Sequence, residues 1–138
     1  MDINDCMKKG EIRKTAIDKG RIQSLIEMSD SKEKVVKNAS LDEDTVSAFF
    51  SLAYESLREV LEAIAFSKGY KVMSHICLGE LLKELLPDFD FIVFDRLRYT
   101  RNSINYYGKK IEYIQGKELL EKLFVLRDHC KRTYLPVV

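Results

Sequence analysis

Arg98, Arg101, Asn102, Asn105, Tyr106 and Tyr107 fall within ten consecutive positions, and their chemistry suits a phosphate, a base or both. Guanidinium groups clamp phosphate through paired N–H donors, asparagine amides reach base edges or ribose, and phenols stack on bases or donate to phosphate. Arg98, Arg101 and Asn105 follow at steps of three and four, the spacing of one edge of a helix. A second edge is apolar: Val93, Leu97, Thr100, Ile104, Tyr107 and Ile111 alternate steps of four and three, as on a helix face that lies on a core. Two asparagines and three tyrosines within nine residues are a poor choice for a purely structural helix. Asparagine disfavours helix, so its presence asks for another reason. The competing explanation is a polar network inside a bundle or at a dimer contact.

Other chemistry is thinner. Glu55 is placed to hold Arg101 by a charge-assisted bond if two helices pack side by side; otherwise Glu55 and Glu59 are a surface pattern one turn apart. His75 and His129 are the only histidines, and a His75-x-Cys77 pair on a helix diverges, so no metal site is expected. His75 follows a Gly69-Tyr70 turn and can face the polar helix. No glycine-rich phosphate loop and no G-x-S-x-G nucleophile motif is present, and no cofactor is expected.

Charge is uneven rather than large. The net charge of +1 argues against bulk nucleic-acid binding, but Arg96, Arg98, Arg101, Lys109 and Lys110 stand against the single Asp95 in one stretch. That favours a small or selective anionic partner. No window approaches the twenty apolar residues of a membrane span, and the first twenty residues are too charged for an export signal, so the expected location is the cytoplasm without membrane contact. Cys6, Cys77 and Cys130 are odd in number and far apart, which reads as three thiols in a reducing compartment.

The elements that must position these residues are helical. Residues 2–9 predict a short helix closed by Gly10, and residues 16–37 a weaker one that Ser29-Asp30-Ser31 can bend. Ser40-Leu41-Asp42-Glu43 has the spacing of a capping box. After it, Val46, Phe50, Ala53, Leu57, Val60 and Ile64 mark a central helix, ended at Gly69. Ser74 is the expected cap of the next helix and Pro87 its end; Asp88 or Asp90 opens the polar helix, and Gly108 closes it. Residues 117–134 predict the last helix. No convincing strand alternation is visible. The expected fold is all-α, an antiparallel bundle of four to five helices in one domain over residues 1–138, with its core at about 5–130.

In order, Lys8-Lys9-Gly10-Glu11-Ile12-Arg13-Lys14, Ser51 to Glu59, Gly69 to His75 and Arg101-Asn102-Ser103-Ile104-Asn105-Tyr106-Tyr107-Gly108 resemble the segments of HEPN domains, small all-helical prokaryotic proteins. The resemblance implies a homodimer and either a ribonuclease or the toxin partner of a small nucleotidyltransferase antitoxin. It also implies a late-helix signature of arginine followed, four to six residues on, by histidine. Arg101 matches the arginine and Asn102 the polar neighbour, but Tyr106 holds the histidine's place, and no histidine lies between Arg101 and Asp128. Gly108 stands where some toxic members carry a tyrosine that the antitoxin modifies. A phenol titrating near pH 10 does not shuttle protons at pH 7, so cleavage is expected to be lost or weak.

The function expected from residues and resemblance together is binding of RNA, a nucleotide or a nucleotidyltransferase partner. Arg98, Arg101, Asn102, Asn105, Tyr106 and Tyr107 would form the site, with Glu55 supporting it. One alternative is an active, metal-independent ribonuclease toxin that uses Arg101 and His75. Another is a non-catalytic assembly module.

Overall fold

The computed structural model describes residues 1–135, so the last three residues of the expected domain lie outside it. Its elements are α1 (Ile3–Lys8), β1 (Ile12–Lys14), α2 (Lys19–Lys37), α3 (Val46–Ser67), β2 (Tyr70–Val72), α4 (His75–Leu85), α5 (Phe91–Tyr107) and α6 (Tyr113–Tyr134). Helix accounts for 72% of the described residues, which makes the fold all-α apart from one small β pair.

Helix α3 is the axis. Val46, Phe50, Ala53, Leu57, Val60, Leu61 and Ile64 are fully buried, as their spacing predicts. Each large member stabilises the fold by roughly 1.5–3 kcal/mol relative to exposure. Its neighbours are α2, α4, α5 and α6. Arg21 lies over the Phe66 ring while Ser29 meets Ser56, so α2 runs antiparallel to α3. Arg101 meets Glu55 while Asn105 meets Ser51, so α5 does too.

Several helix ends have a chemistry different from the expected one. The Ser40–Glu43 capping box does not form. Asp42 instead accepts from the Asp44 and Thr45 backbone N–H groups, both at 2.9 Å, and from Thr45 Oγ1 at 3.0 Å, and α3 starts at Val46. An aspartate whose carboxylate reaches the backbone N–H groups two and three residues on closes its own turn there. Helix α2 runs unbroken through Ser29, which is turned into the core, where its hydroxyl donates to the Ser56 carbonyl. Glu112 caps α6, which begins four residues earlier than expected. Ser74 and Asp90 cap α4 and α5 as their positions suggest, and Gly69 and Gly108 both sit at positive φ at the helix ends.

Two features were not foreseen. Ile12 to Lys14 pair antiparallel with Tyr70 to Val72 in a two-stranded ribbon. Three residues are too few to show alternation, and the partners are far apart in sequence. Moreover, Cys6 and Cys77 form a disulfide, with Cys130 as the buried free thiol, so the expectation of three thiols is corrected. The ribbon and the disulfide together clamp α1 and β1 onto the segment that leads into α4.

Gly79 lets α4 approach α5. A Cβ there would lie 2.8 Å from Phe94 Cε2 and 3.2 Å from Phe91 Cε2. Phe94 is held between Tyr54 and Phe89, so its ring has little room to yield. Gly79→Ala is expected to lower stability by about 1–2 kcal/mol, overpacking outweighing the helix-propensity gain, as read by urea denaturation.

Candidate phosphate-binding cleft

The close α4–α5 approach leaves a cleft of about 340 Å³ lined by Met73, Ser74, His75, Ile76, Arg98, Arg101, Asn102 and Tyr106. One wall is the entry and first turn of α4; the other is the polar edge of α5. Behind His75 and Arg101 lies Tyr54 of α3, fully buried, whose hydroxyl is 3.1 Å from His75 Nδ1.

Arg101 is the hub. Only 14% of its side chain is exposed. Its guanidinium stacks between two rings, 5.5 Å from the Tyr54 centroid and 5.4 Å from that of Tyr106. Nη2 reaches Glu55 Oε1 at 3.5 Å, and Nη1 donates to Asn102 Oδ1 at 3.1 Å and to the Tyr106 hydroxyl at 3.3 Å. Nε is buried without a partner among the described residues. Glu55 is itself gripped by Arg58, at 2.9 and 2.7 Å. Burial would raise the Glu55 carboxyl, but the Arg58 hydrogen bonds and the charges of Arg58 and Arg101 override it and hold it below its usual range. Arg98 is kept at the rim by Asp95, at 2.8 and 3.1 Å.

His75 is neutral at ordinary pH. Burial first, then the nearby Arg101 and Arg58 charges, push its imidazole down to about 4 against a smaller opposing effect of Glu55. Its tautomer follows from the Tyr54 hydroxyl, which has no other hydrogen-bond partner among the described residues. A fully buried O–H must place its hydrogen somewhere, and the available acceptor is His75 Nδ1. With Nδ1 accepting, the imidazole proton sits on Nε2, the nitrogen left for other partners. His75 therefore has a donor to offer and no free lone pair with which to take a proton.

No family model and no curated protein matches this chain.

The cleft is richer in donors than in free acceptors. Asn102 Oδ1 and the Tyr106 oxygen both receive Arg101, leaving an amide NH₂ and a phenolic hydrogen to give. Ser74 Oγ accepts the Cys77 N–H at 3.2 Å, leaving its own hydrogen free. Arg98 and Arg101 have only donors. Two cations and a set of neutral donors facing one small space suit an anion with several acceptor oxygens.

Of the residues singled out from sequence, the structure brings Arg98, Arg101, Asn102, Tyr106 and His75 to this cleft and sets Glu55 behind Arg101. Two are elsewhere. Asn105 lies beside α3, where its Oδ1 accepts from Ser51 Oγ at 2.7 Å, and Tyr107 is 75% exposed and outside the cleft lining. Asn105 sits on the side of α5 that faces α3, whereas Tyr106, the next residue, turns to the α4 entry. Tyr54, Ser74 and Arg58 escaped the sequence reading as parts of the site. A tyrosine inside the apolar stripe of the central helix was the available signal, since its hydroxyl needed a buried partner.

Proposed function

We propose that this protein binds the phosphate of RNA or of a nucleotide in the α4–α5 cleft, as its resemblance to HEPN domains implies, with ribonuclease activity lost or weak. The observation that carries the reading is the donor-rich lining: Arg98, Arg101, Asn102, Tyr106 and Ser74 line the cleft with N–H and O–H groups to give, and Tyr54 turns His75 into a donor as well. Metal-independent RNA cleavage needs a base for the 2′-hydroxyl proton. His75 has its Nδ1 lone pair engaged by Tyr54, and Tyr106 has its oxygen on Arg101. These contacts weigh against the ribonuclease toxin.

A homodimer, or a nucleotidyltransferase partner, belongs to the same proposal. Ile92, Tyr99 and Tyr106 recur every seven residues along α5 and are 82%, 70% and 68% exposed, a stripe suited to a partner helix that would border the cleft. Sedimentation of the purified chain checks the dimer. No helix of the described residues is long and apolar enough to cross a membrane. The Cys6–Cys77 bond removes the thiol argument for a reducing compartment.

The test is a labelled single-stranded RNA titrated with wild type and Arg101→Ala, alongside a metal-free cleavage assay. Loss of a charged hydrogen-bond donor costs about 1.5–3 kcal/mol. The expected result is a roughly 10- to 100-fold weaker Kd, salt-sensitive binding by the wild type and intact RNA throughout. Equal binding by both proteins would refute the cleft as the site. RNA degradation abolished by Arg101→Ala would move the reading to the toxin.

A further inference from the structure

We infer that the cleft is built for a phosphate monoester, the terminal phosphate of a nucleotide or of an oligonucleotide end, and not for a phosphate inside a chain. This rests on the phosphate-binding reading above and narrows it to a ligand class.

Three observations carry the inference. The first is depth. Tyr106 is 68% exposed at the mouth, whereas the Arg101 side chain is 14% exposed beneath it, flanked by the Tyr54 and Tyr106 rings. A group reaching Arg101 must project inward, which a terminal phosphate does and a phosphate with chain on both sides does poorly. The second is the number of donors. Arg98, Arg101, Asn102, Tyr106, Ser74 and His75 all have hydrogens to give. The two non-bridging oxygens of a diester offer about four lone pairs and one charge, whereas a monoester offers three terminal oxygens and nearly two charges at neutral pH. The third is the engagement of the acceptors. A ribose 2′-hydroxyl seeks an acceptor as well as a donor. The single lone pair of His75 Nδ1 is taken by Tyr54, and Asn102 Oδ1 and the Tyr106 oxygen each already receive an N–H of the cationic Arg101, which weakens them as acceptors for a second donor. The cleft should therefore hold the phosphate in preference to the sugar.

The full-length chain is titrated with a labelled hexamer RNA carrying a 5′-phosphate, the same RNA with a 5′-hydroxyl, the same RNA with a 3′-phosphate, and the 5′-phosphorylated DNA. Adenosine monophosphate and inorganic phosphate serve as competitors. At least a tenfold preference for a phosphorylated end over the 5′-hydroxyl RNA is expected, with RNA and DNA within about twofold of each other. Competition by adenosine monophosphate at equal affinity supports the inference and identifies a free nucleotide as sufficient; a large advantage of the oligonucleotide supports it with a nucleic-acid end as the source. Asn102→Asp keeps the acceptor for Arg101 but replaces an outward donor by a negative charge, and should cost at least tenfold for the monoester. Equal binding of 5′-hydroxyl and phosphorylated RNA, sensitive to Arg101→Ala, would overturn the monoester and leave RNA binding standing. A strong preference for RNA over DNA would likewise overturn it. No binding of any probe would defeat both readings.

Discussion

Replacing Cys6 and Cys77 together by serine is expected to lower the free energy of unfolding by about 4 kcal/mol. The bond joins residues 71 positions apart, so in the unfolded chain it closes a long loop and removes much of that ensemble's freedom. The native side has reasons to depend on it as well. Helix α1 has six residues, too few to be stable alone, and the ribbon beside it has three residue pairs. Without the covalent tie, α1 is held chiefly by its contact with α4 and by Ile12 and Cys6 in the core. Urea denaturation of oxidised wild type, reduced wild type and the double variant measures the effect. A thiol count on the denatured, non-reduced protein should give one, for Cys130, whose burial pushes it up to about 12 and keeps it from competing for either partner in the native state. Three titratable thiols, or identical unfolding curves, would show that the bond is not a structural feature in solution.

How much of this could be read from residues depends on how far each interaction reaches. The α3 core, the Ser74 and Asp90 caps and the Gly69 and Gly108 stops are local patterns, and each lies where its neighbours in sequence place it. The disulfide, the β1–β2 ribbon and the Tyr54–His75 pair join segments remote in sequence, and nothing nearby announces them. The cleft falls between these cases. Arg98, Arg101, Asn102 and Tyr106 share one helix and could be grouped by spacing. Whether His75 joined them depended on α4 lying beside α5, which Gly79 permits and which periodicity cannot reveal. Asn105 and Tyr107 show the opposite error. They share the helix and its chemistry, but Asn105 is turned to α3 and Tyr107 to solvent, away from the wall that the α4 entry makes.

Arg127→Met is the other large effect, expected at about 3–5 kcal/mol, because it removes the buried cation on which a partly exposed set of carboxylates converges and leaves the mostly buried Glu33 without it. Arg127 is 2% exposed. It donates from Nε to Ser29 Oγ at 2.9 Å, from Nη1 to Asp128 Oδ1 at 2.6 Å, and from Nη2 to Asp30, and it sits 3.1 Å from Glu33 Oε1. Lys131 supports Asp30 at 2.8 Å and Lys37 lies 3.5 Å from both Glu33 and Asp128, too little to compensate three carboxylates at once. Burial tends to raise all three. In Asp30 the hydrogen bonds from Lys131 and Arg127 win and depress it, in Asp128 those with Glu33 and Arg127 do, and Glu33 stays raised. In the wild type, the depressed pair therefore contribute stability above their unfolded pKa values that is lost as acid protonates them, while Glu33 is relieved by the same protonation. Without Arg127 the carboxylates all shift upward, so the variant's deficit should be largest near pH 7 and shrink towards pH 4.5 as they take up protons. Thermal unfolding at both values reads it, as a drop of roughly 10–15 °C at neutral pH. An equal deficit at both pH values would assign the loss to packing alone. The network joins α2 to α6 and includes none of the cleft's lining residues. On the proposed function, folded Arg127→Met should consequently retain whatever phosphate binding the wild type shows, which separates the clamp that holds the bundle from the arginine proposed to hold the ligand.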